Sequence, residues 1–333
     1  MQITSLPATS SLSASDVLVV EIGGVTYKIL ASTLASALQT IGSPLAAAKG
    51  GTGLTASPSM LTNLSSDSAA NILQATPRPG VTGVLPLVHG GFGIDMSAAA
   101  NAGFHNSFYR GKYLGTSVTA AQYTAISNGT FADMFIGDYW TINGVNWRIA
   151  AFDYWLNCGD TNTTTHHVVI VPDTALVSSK MNNSHITTGG YVGSDFYTGS
   201  NSISGKSDAI TAVNNAFGAA HILSHRELFT NAVTDGKASG WAWYDSTVDL
   251  MNEVMVYGTN AWSSAPGYET GIDKSQLPLF ALEPSRICNR GYWWLRSVSS
   301  ATYFAVVGDG GDAYGSGGAG NSLGIRPAFA IKA

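Results

Sequence analysis

Charge is what this chain most lacks. Only 11% of its 333 residues are Asp, Glu, Lys or Arg, against roughly 25% for an ordinary soluble domain. Such a deficit implies surface that is covered in an oligomer or a larger assembly. The 16 Lys and Arg residues against 21 Asp and Glu give a net charge of −5. The basic residues are scattered and form no stripe able to neutralise phosphates, so nucleic acid is excluded as the expected partner. There is no run of about twenty apolar residues and hence no expected membrane insertion. The start of the sequence also lacks the basic-then-apolar pattern of a secretory signal, so synthesis and folding in a bacterial cytoplasm are expected. The only two cysteines, Cys158 and Cys288, are too far apart in sequence to form a metal-ligand pair; buried free thiols are expected.

A second absence is local. Between Ser297 and Leu323 there is no Lys, Arg or Glu, and Gly, Ser, Ala, Tyr, Asp and Asn make up most of the segment. That is the composition of a paratope, where Tyr gives rigid amphipathic contact area and Ser, Gly and Asn give adaptable hydrogen bonding. Bulky sequences flank it: Trp293-Trp294-Leu295-Arg296-Ser297 before, Gly324-Ile325-Arg326-Pro327-Ala328-Phe329 after. A displayed binding surface held by core anchors is the reading these features support.

Three regions follow along the chain. Residues 1–40 read as a small attachment module, in which Val17–Ile22 and Val25–Leu30 are β-prone runs joined by Gly23-Gly24, with a short helix from about Thr33 to Leu38. Residues 41–108 read as a Gly-rich stalk. There Lys49-Gly50-Gly51-Thr52-Gly53-Leu54 is echoed by His89-Gly90-Gly91-Phe92-Gly93-Ile94, and Pro77 and Pro79 break any continuous helix. Residues 109–333 carry the tryptophans and read as an α+β domain. Its expected strands flank Asn143-Gly144 and run from His167 to Val171. Its expected helices place Ile210, Val213 and Phe217 on one face and begin, for the second, at the apparent capping box Ser224-His225-Arg226-Glu227.

The N-terminal third resembles bacteriophage tail-fibre proteins, in which Gly-Gly-Thr-Gly, here Gly50 to Gly53, recurs. The C-terminal domain resembles the C-type lectin-like receptor-binding domains of phage tail tips, including the major tropism determinant type diversified by a reverse transcriptase. The residues that carry this are Tyr292-Trp293-Trp294-Leu295-Arg296-Ser297 and Gly324-Ile325-Arg326-Pro327-Ala328-Phe329. Gly189-Gly190-Tyr191-Val192, Ser224 to Leu228 and Met251-Asn252-Glu253 are similar to phage proteins of gut bacteria. The resemblance implies a homotrimer on the virion, joined to other tail proteins through its N-terminus. Its variable face would adhere to a protein or glycan of the host bacterial surface. A cell-displayed adhesin with the same domain is the alternative.

If Thr302 to Val307 is a strand, Tyr303, Ala305 and Val307 share one face, because side chains alternate. A turn at Asp309-Gly310-Gly311 would bring Tyr314 and Ser316 back beside them. The expected ligand-binding set is therefore Ser297, Ser299, Ser300, Tyr303, Ala305, Val307, Asp309, Asp312, Tyr314, Ser316 and Asn321.

No catalytic or metal site and no cofactor are expected. Formylglycine-generating oxidases resemble the same fold but need a close pair of cysteines near the C-terminus, where only Cys288 stands. His221 and His225 have helical zinc spacing without the Glu of that motif. Calcium-dependent sugar binding needs Glu-Pro-Asn and Trp-Asn-Asp motifs; this chain has Glu283-Pro284-Ser285 and no Trp-Asn-Asp. Arg296 and Arg326 are expected to close buried polar contacts.

Overall fold

A computed structural model describes residues 13–34, 36, 101–263 and 275–333. Of the stalk expected over residues 41–108, residues 41–100 lie outside the described residues. The chain divides into two compact units, Met1–Ile94 and Asp95–Ala333.

In the first unit, β1 (Val17–Ile22) and β2 (Val25–Leu30) pair antiparallel from Val17 opposite Leu30 to Ile22 opposite Val25. The link is Gly23-Gly24, with φ of 62° and 82°. Two successive left-handed residues are what a tight hairpin turn matched to strand twist demands, and glycine adopts them without a Cβ penalty. Residues 31–34 and 36 are helical. Val17, Val19, Val25, Tyr27 and Leu30 are exposed.

The second unit is mixed α+β, with small sheets and few helices. In chain order it contains α1 (Ala102–His105), β3 (Tyr113–Gly115), α2 (Ala120–Ser127), β4 (Tyr139–Ile142), β5 (Val145–Phe152), β6 (Val168–Pro172), β7 (Val177–Ser179), α3 (Asp195–Thr198) and α4 (Gly205–Phe217). There follow β8 (His225–Thr234), β9 (Lys237–Ser246), β10 (Val248–Leu250), α5 (Glu253–Tyr257), α6 (Pro278–Leu282), β11 (Trp293–Val298), β12 (Tyr303–Val307), β13 (Ala313–Gly318), β14 (Leu323–Ile325) and β15 (Pro327–Ile331). A six-stranded sheet has the order β10-β15-β6-β5-β4-β3, a five-stranded sheet the order β13-β12-β11-β14-β7, and β8 with β9 forms a separate ribbon. No helix among the described residues is long and apolar enough to cross a membrane.

The β4–β5 hairpin turns at Asn143-Gly144 as the sequence predicts, both residues having positive φ. On α4, Ala209, Val213 and Phe217 are buried, while Ile210 is only half-buried. Phe217 meets Trp147 of β5 at 5.5 Å and Phe329 of β15 at 5.4 Å, so the helix is packed onto the six-stranded sheet by edge-to-face and tilted ring contacts.

Three expectations are corrected. Residues 101–108 are not stalk: Asn106 exchanges two hydrogen bonds with the Phe152 backbone, and His105, buried, bonds the Met134 carbonyl. Cys158 and Cys288 are free thiols but not buried ones, being half-buried and exposed. The helix expected at Ser224 is the strand β8, paired with β9 from His225 opposite Ser246 to Thr234 opposite Lys237. Asp235-Gly236, with φ of 51° and 74°, supplies the hairpin turn. Glu227 does not reach back to cap a helix; it points into the protein interior.

There Glu227 is 2% exposed and meets Arg296 of β11, whose Nη1 lies 3.0 Å from Oε2. Trp155 donates its indole N–H to Oε1 at 3.0 Å. Arg296 also donates to the Leu250 carbonyl and stands over the Phe229 ring, 4.9 Å from its centroid. Burial alone pushes the Glu227 carboxyl up, but the Arg296 charge, His225 and the Trp155 N–H together hold it below the ordinary range. His225 stacks on Trp155 at 3.9 Å. Arg326, also buried, donates to the Pro172 and Arg286 carbonyls, so both arginines close interior polar contacts as expected.

Removing one partner of a buried ion pair strands the other charge. Glu227→Ala is expected to lower unfolding free energy by about 3–5 kcal/mol in urea titrations, and a Glu227→Gln/Arg296→Met double variant to lose less than the two single changes summed. His167 gives a pH prediction. Its Nδ1 faces the Thr165 carbonyl at 2.8 Å and its Nε2 accepts the Trp155 backbone N–H at 3.0 Å, which fixes a neutral ring. Burial lowers its pKa from 6.5 to about 4, and burial also lowers that of His105. The folded state refuses protons that the unfolded chain accepts, so this stability is complete above pH 6.5 and is lost as pH falls toward 4. Urea midpoints should drop across that window, and the drop should shrink in His167→Gln.

Candidate ligand-binding ribbon

The predicted binding segment folds as β12 and β13, with the start of the frame on β11. Trp293 and Trp294 are both fully buried, as are Phe304 and Phe329. Trp294 donates its indole N–H to the Ser179 carbonyl at 2.8 Å and meets Phe304 edge-on at 6.4 Å. Trp293 faces the Arg326 guanidinium at 5.0 Å. The two bulky sequences that flank the segment are therefore its foundation.

β12 is hydrogen-bonded on both sides, to β11 and to β13, and both of its ladders contain irregularities. Between the Phe304–Gly317 and Val306–Tyr314 pairs, two steps on β12 face three on β13, so β13 carries an extra residue at Gly315-Ser316. Alternation holds along β12, but both of its faces are covered, and the register sets Tyr314 opposite Val306 and Tyr303 opposite Gly318, so the two tyrosines do not share the face expected of them. Phe304, Ala305, Val306 and Val307 are all buried, and only Tyr303, 39% exposed, reaches the surface from β12. Ala305 and Val307 are thereby removed from the candidate site.

The serines are corrected too. Ser297 is buried, and its hydroxyl accepts the Glu253 N–H at the start of α5. Half-buried Ser299 donates to the Gly315 carbonyl at 2.6 Å, and Ser300 accepts the N–H groups of Thr302 and Tyr303. Thr187 donates to the Ser300 carbonyl at 2.7 Å. These side chains build the β11–β12 turn. The surface belongs to Tyr303, Asp309, Asp312, Tyr314, Ser316 and Asn321, all exposed.

Two residues outside the expected set join them. Tyr292, 43% exposed, meets the Tyr314 ring at 5.8 Å with the planes at 66°. Trp262, 57% exposed, donates its indole N–H to the Ala313 carbonyl at 3.0 Å on the edge strand β13. A Cβ at Gly315 would fall 2.6 Å from the Trp262 ring, so glycine is what lets the indole lie against the strand. The Trp262 backbone is itself fixed by Glu253, fully buried at the N-terminal end of α5. One carboxylate oxygen accepts the Trp262 N–H at 3.0 Å, and the other accepts the Ser263 N–H at 2.9 Å and the Ser263 hydroxyl. The Asp309 charge, then burial and the Tyr314 and Asp312 charges, push the Tyr292 hydroxyl up.

Residues 221–333 match the family described as Domain of unknown function (DUF6273). No curated protein and no solved structure matches the chain. The matched segment contains the whole ribbon together with β8 to β15, but β15 pairs with β6 and β14 with β7, both outside it.

Burial sorts the ribbon into replaceable and fixed positions. Ser316→Tyr and Asn321→Ser should each change stability by less than about 0.5 kcal/mol, as surface changes do. Gly317→Val, whose Cβ would meet Val306 at 2.5 Å, Trp294 at 2.6 Å and the Phe304 carbonyl at 2.7 Å, should cost at least about 2 kcal/mol by overpacking. Thermal and urea midpoints of the purified variants check both.

Proposed function

We propose that this chain is a bacteriophage tail-fibre or tail-tip receptor-binding protein, a homotrimer whose C-terminal unit is of the C-type lectin-like kind and adheres to the host bacterial surface. The observation that carries the reading is the ribbon itself. A stretch without Lys, Arg or Glu places Tyr303, Tyr314, Ser316 and Asn321 at the surface, on a frame of fully buried Trp293, Trp294 and Phe304. Large exposed aromatics are disfavoured on a plain surface, whereas rigid Tyr contacts among small polar residues are what adaptable protein recognition uses.

Support also comes from the sequence frame shared with diversified tail-tip domains and from the Gly-Gly-Thr-Gly element at Gly50 to Gly53. The exposed positions are those a diversifying system can alter without disturbing the fold. The exposed Val17, Val19, Val25, Tyr27 and Leu30 of the N-terminal hairpin suit attachment to another tail protein. Adhesion would be multivalent: three ribbons on one fibre convert weak single contacts into strong attachment through effective concentration.

The test is binding of the purified full-length chain to a panel of intact gut bacteria, wild type against a Tyr303→Ala/Tyr314→Ala variant shown to fold. Strain-selective binding that falls at least about tenfold in the variant supports the reading. Binding unchanged by the variant removes the ribbon from recognition, and absence of binding across the panel counts against adhesion.

A further inference from the structure

We propose a second binding site, for one residue of a neutral saccharide, in the cavity between the 161–165 loop and the start of β8. The cavity has a volume of about 400 Å3, within the range of small-molecule sites. None of its lining residues belongs to β11, β12 or β13, so it is separate from the ribbon and from the adhesive reading built there. Residues 161–165, four threonines and Asn162, line one side, and residues 223–226 with Asp245 of β9 line the other.

The loop is fixed in place. Arg226 forks onto Asp160, with Nε 2.7 Å from Oδ1 and Nη2 3.0 Å from Oδ2. Thr163 accepts the Asn157 N–H at 2.7 Å and donates its own N–H to the Cys158 carbonyl at 3.2 Å. Gly159, with φ of 99°, lets the loop lie against β8, since a Cβ there would fall 2.8 Å from the Arg226 Cβ. On this pinned backbone the side chains are unspent. Among the described residues, no hydrogen bond uses the four threonine hydroxyls, the Asn162 amide or the Ser224 hydroxyl. His225, buried and bordering the same cavity, has no hydrogen bond on either ring nitrogen, and buried polar groups without a partner are rare.

Charge selects among ligands. Arg226 also donates to Asp245 Oδ1 and to the Trp243 carbonyl, both at 3.1 Å, so four of its five N–H groups are engaged. Two carboxylates against one guanidinium leave the rim negative, which disfavours an anion. Among the described residues no group of three or more His, Cys, Asp or Glu could hold a metal ion. Hydroxyls and an amide both donate and accept, as the hydroxyls of a sugar do. A neutral polyhydroxyl ring therefore matches the lining, and the fixed loop lowers the ordering cost of binding it.

The experiment uses the full chain carrying 13C-methyl threonine. The methyl resonances of residues 161, 163, 164 and 165 are assigned by Thr→Ser substitutions, which keep the hydroxyl. The probes are the methyl glycosides of glucose, galactose, mannose, rhamnose and N-acetylglucosamine, with inorganic phosphate as the anion. The expected result is a saturable shift of these methyls with at least one glycoside and none with phosphate, the Kd changing less than about twofold between about 0.05 and 0.5 M salt. Thr163→Val/Thr165→Val, which keeps the shape and deletes two hydroxyls, should weaken binding at least about fivefold, and Asn162→Ala at an exposed position should weaken it as well. The remaining threonine methyl resonances report that each variant folds. Tyr303→Ala/Tyr314→Ala should leave the shifts unchanged, so loss of ribbon adhesion and loss of this site are told apart. No saturable shift with any glycoside, a stronger response to phosphate, affinity unchanged in both cavity variants, or binding lost in the tyrosine variant would overturn the proposal.

Discussion

The Glu227–Arg296 pair is the interaction on which the C-terminal unit hangs. It joins β8 to β11, takes in the loop carrying Trp155, and through the second contact of Arg296 ties the end of β10 to the same point. Each of these segments is far from the others in sequence. Two charges withdrawn from water cost several kcal/mol each, and the cost is offset only where every remaining donor and acceptor is satisfied. Here the carboxylate has Arg296 on one oxygen and the Trp155 indole on the other, and the guanidinium has a carbonyl and a ring face besides. Such a cluster tolerates few alternative arrangements. It therefore sets where β11 lies, and β11 is the strand on which the ribbon is built.

From that strand outward, the side chains separate into a fixed interior and a narrow rim. Both faces of β12 are covered, so four successive residues are buried and most of what looked variable in composition is scaffold. Of the expected set, two tyrosines, a serine, an asparagine and two aspartates remain outside, with Tyr292 and Trp262 also exposed nearby in the fold. Glycines at 315 and 317 are part of the scaffold, because one admits the Trp262 ring and the other admits Val306 and Trp294. A rim of this kind can change its chemistry while the strands beneath it stay where they are.

How much of this was legible depended on the range of the forces involved. Hairpins at Gly23-Gly24 and Asn143-Gly144 were readable because the turn residues themselves dictate the backbone. The helix ending at Phe217 was readable from its 3.6-residue period, and the exposure of Tyr303, Tyr314, Ser316, Asp309, Asp312 and Asn321 from composition, whereas alternation put Tyr303 and Tyr314 on one face and the register separates them. The strand at His225 was misread because Ser224 and Glu227 imitate a cap, although Asp235-Gly236 marked the hairpin. A true capping box sits at Thr119 and Gln122. Ala305 and Val307 failed because a period-two pattern does not tell whether the second face of a strand is also covered. Trp262 reaches the ribbon across some fifty residues of sequence, through a bond to Ala313 that no local pattern encodes. Glu253 beneath it lay in a segment singled out by its resemblance to other sequences, but its role needed coordinates.

The position of β15 has a consequence for how the chain is made. It lies between β10 and β6, its Phe329 opposite Ile170, while β14 closes the other sheet by pairing with β7. On the ribosome, β6 and β7 emerge long before either partner and must wait with open edges while the ribbon is synthesised. Contacts so distant in sequence form slowly, and unpaired edges are where nascent chains stick to one another. Every strand of the ribbon is translated before the two that complete the sheets. A prematurely terminated chain would thus carry the ribbon without the completed sheets that present it, and truncated fragments should not display its rim as the full chain does.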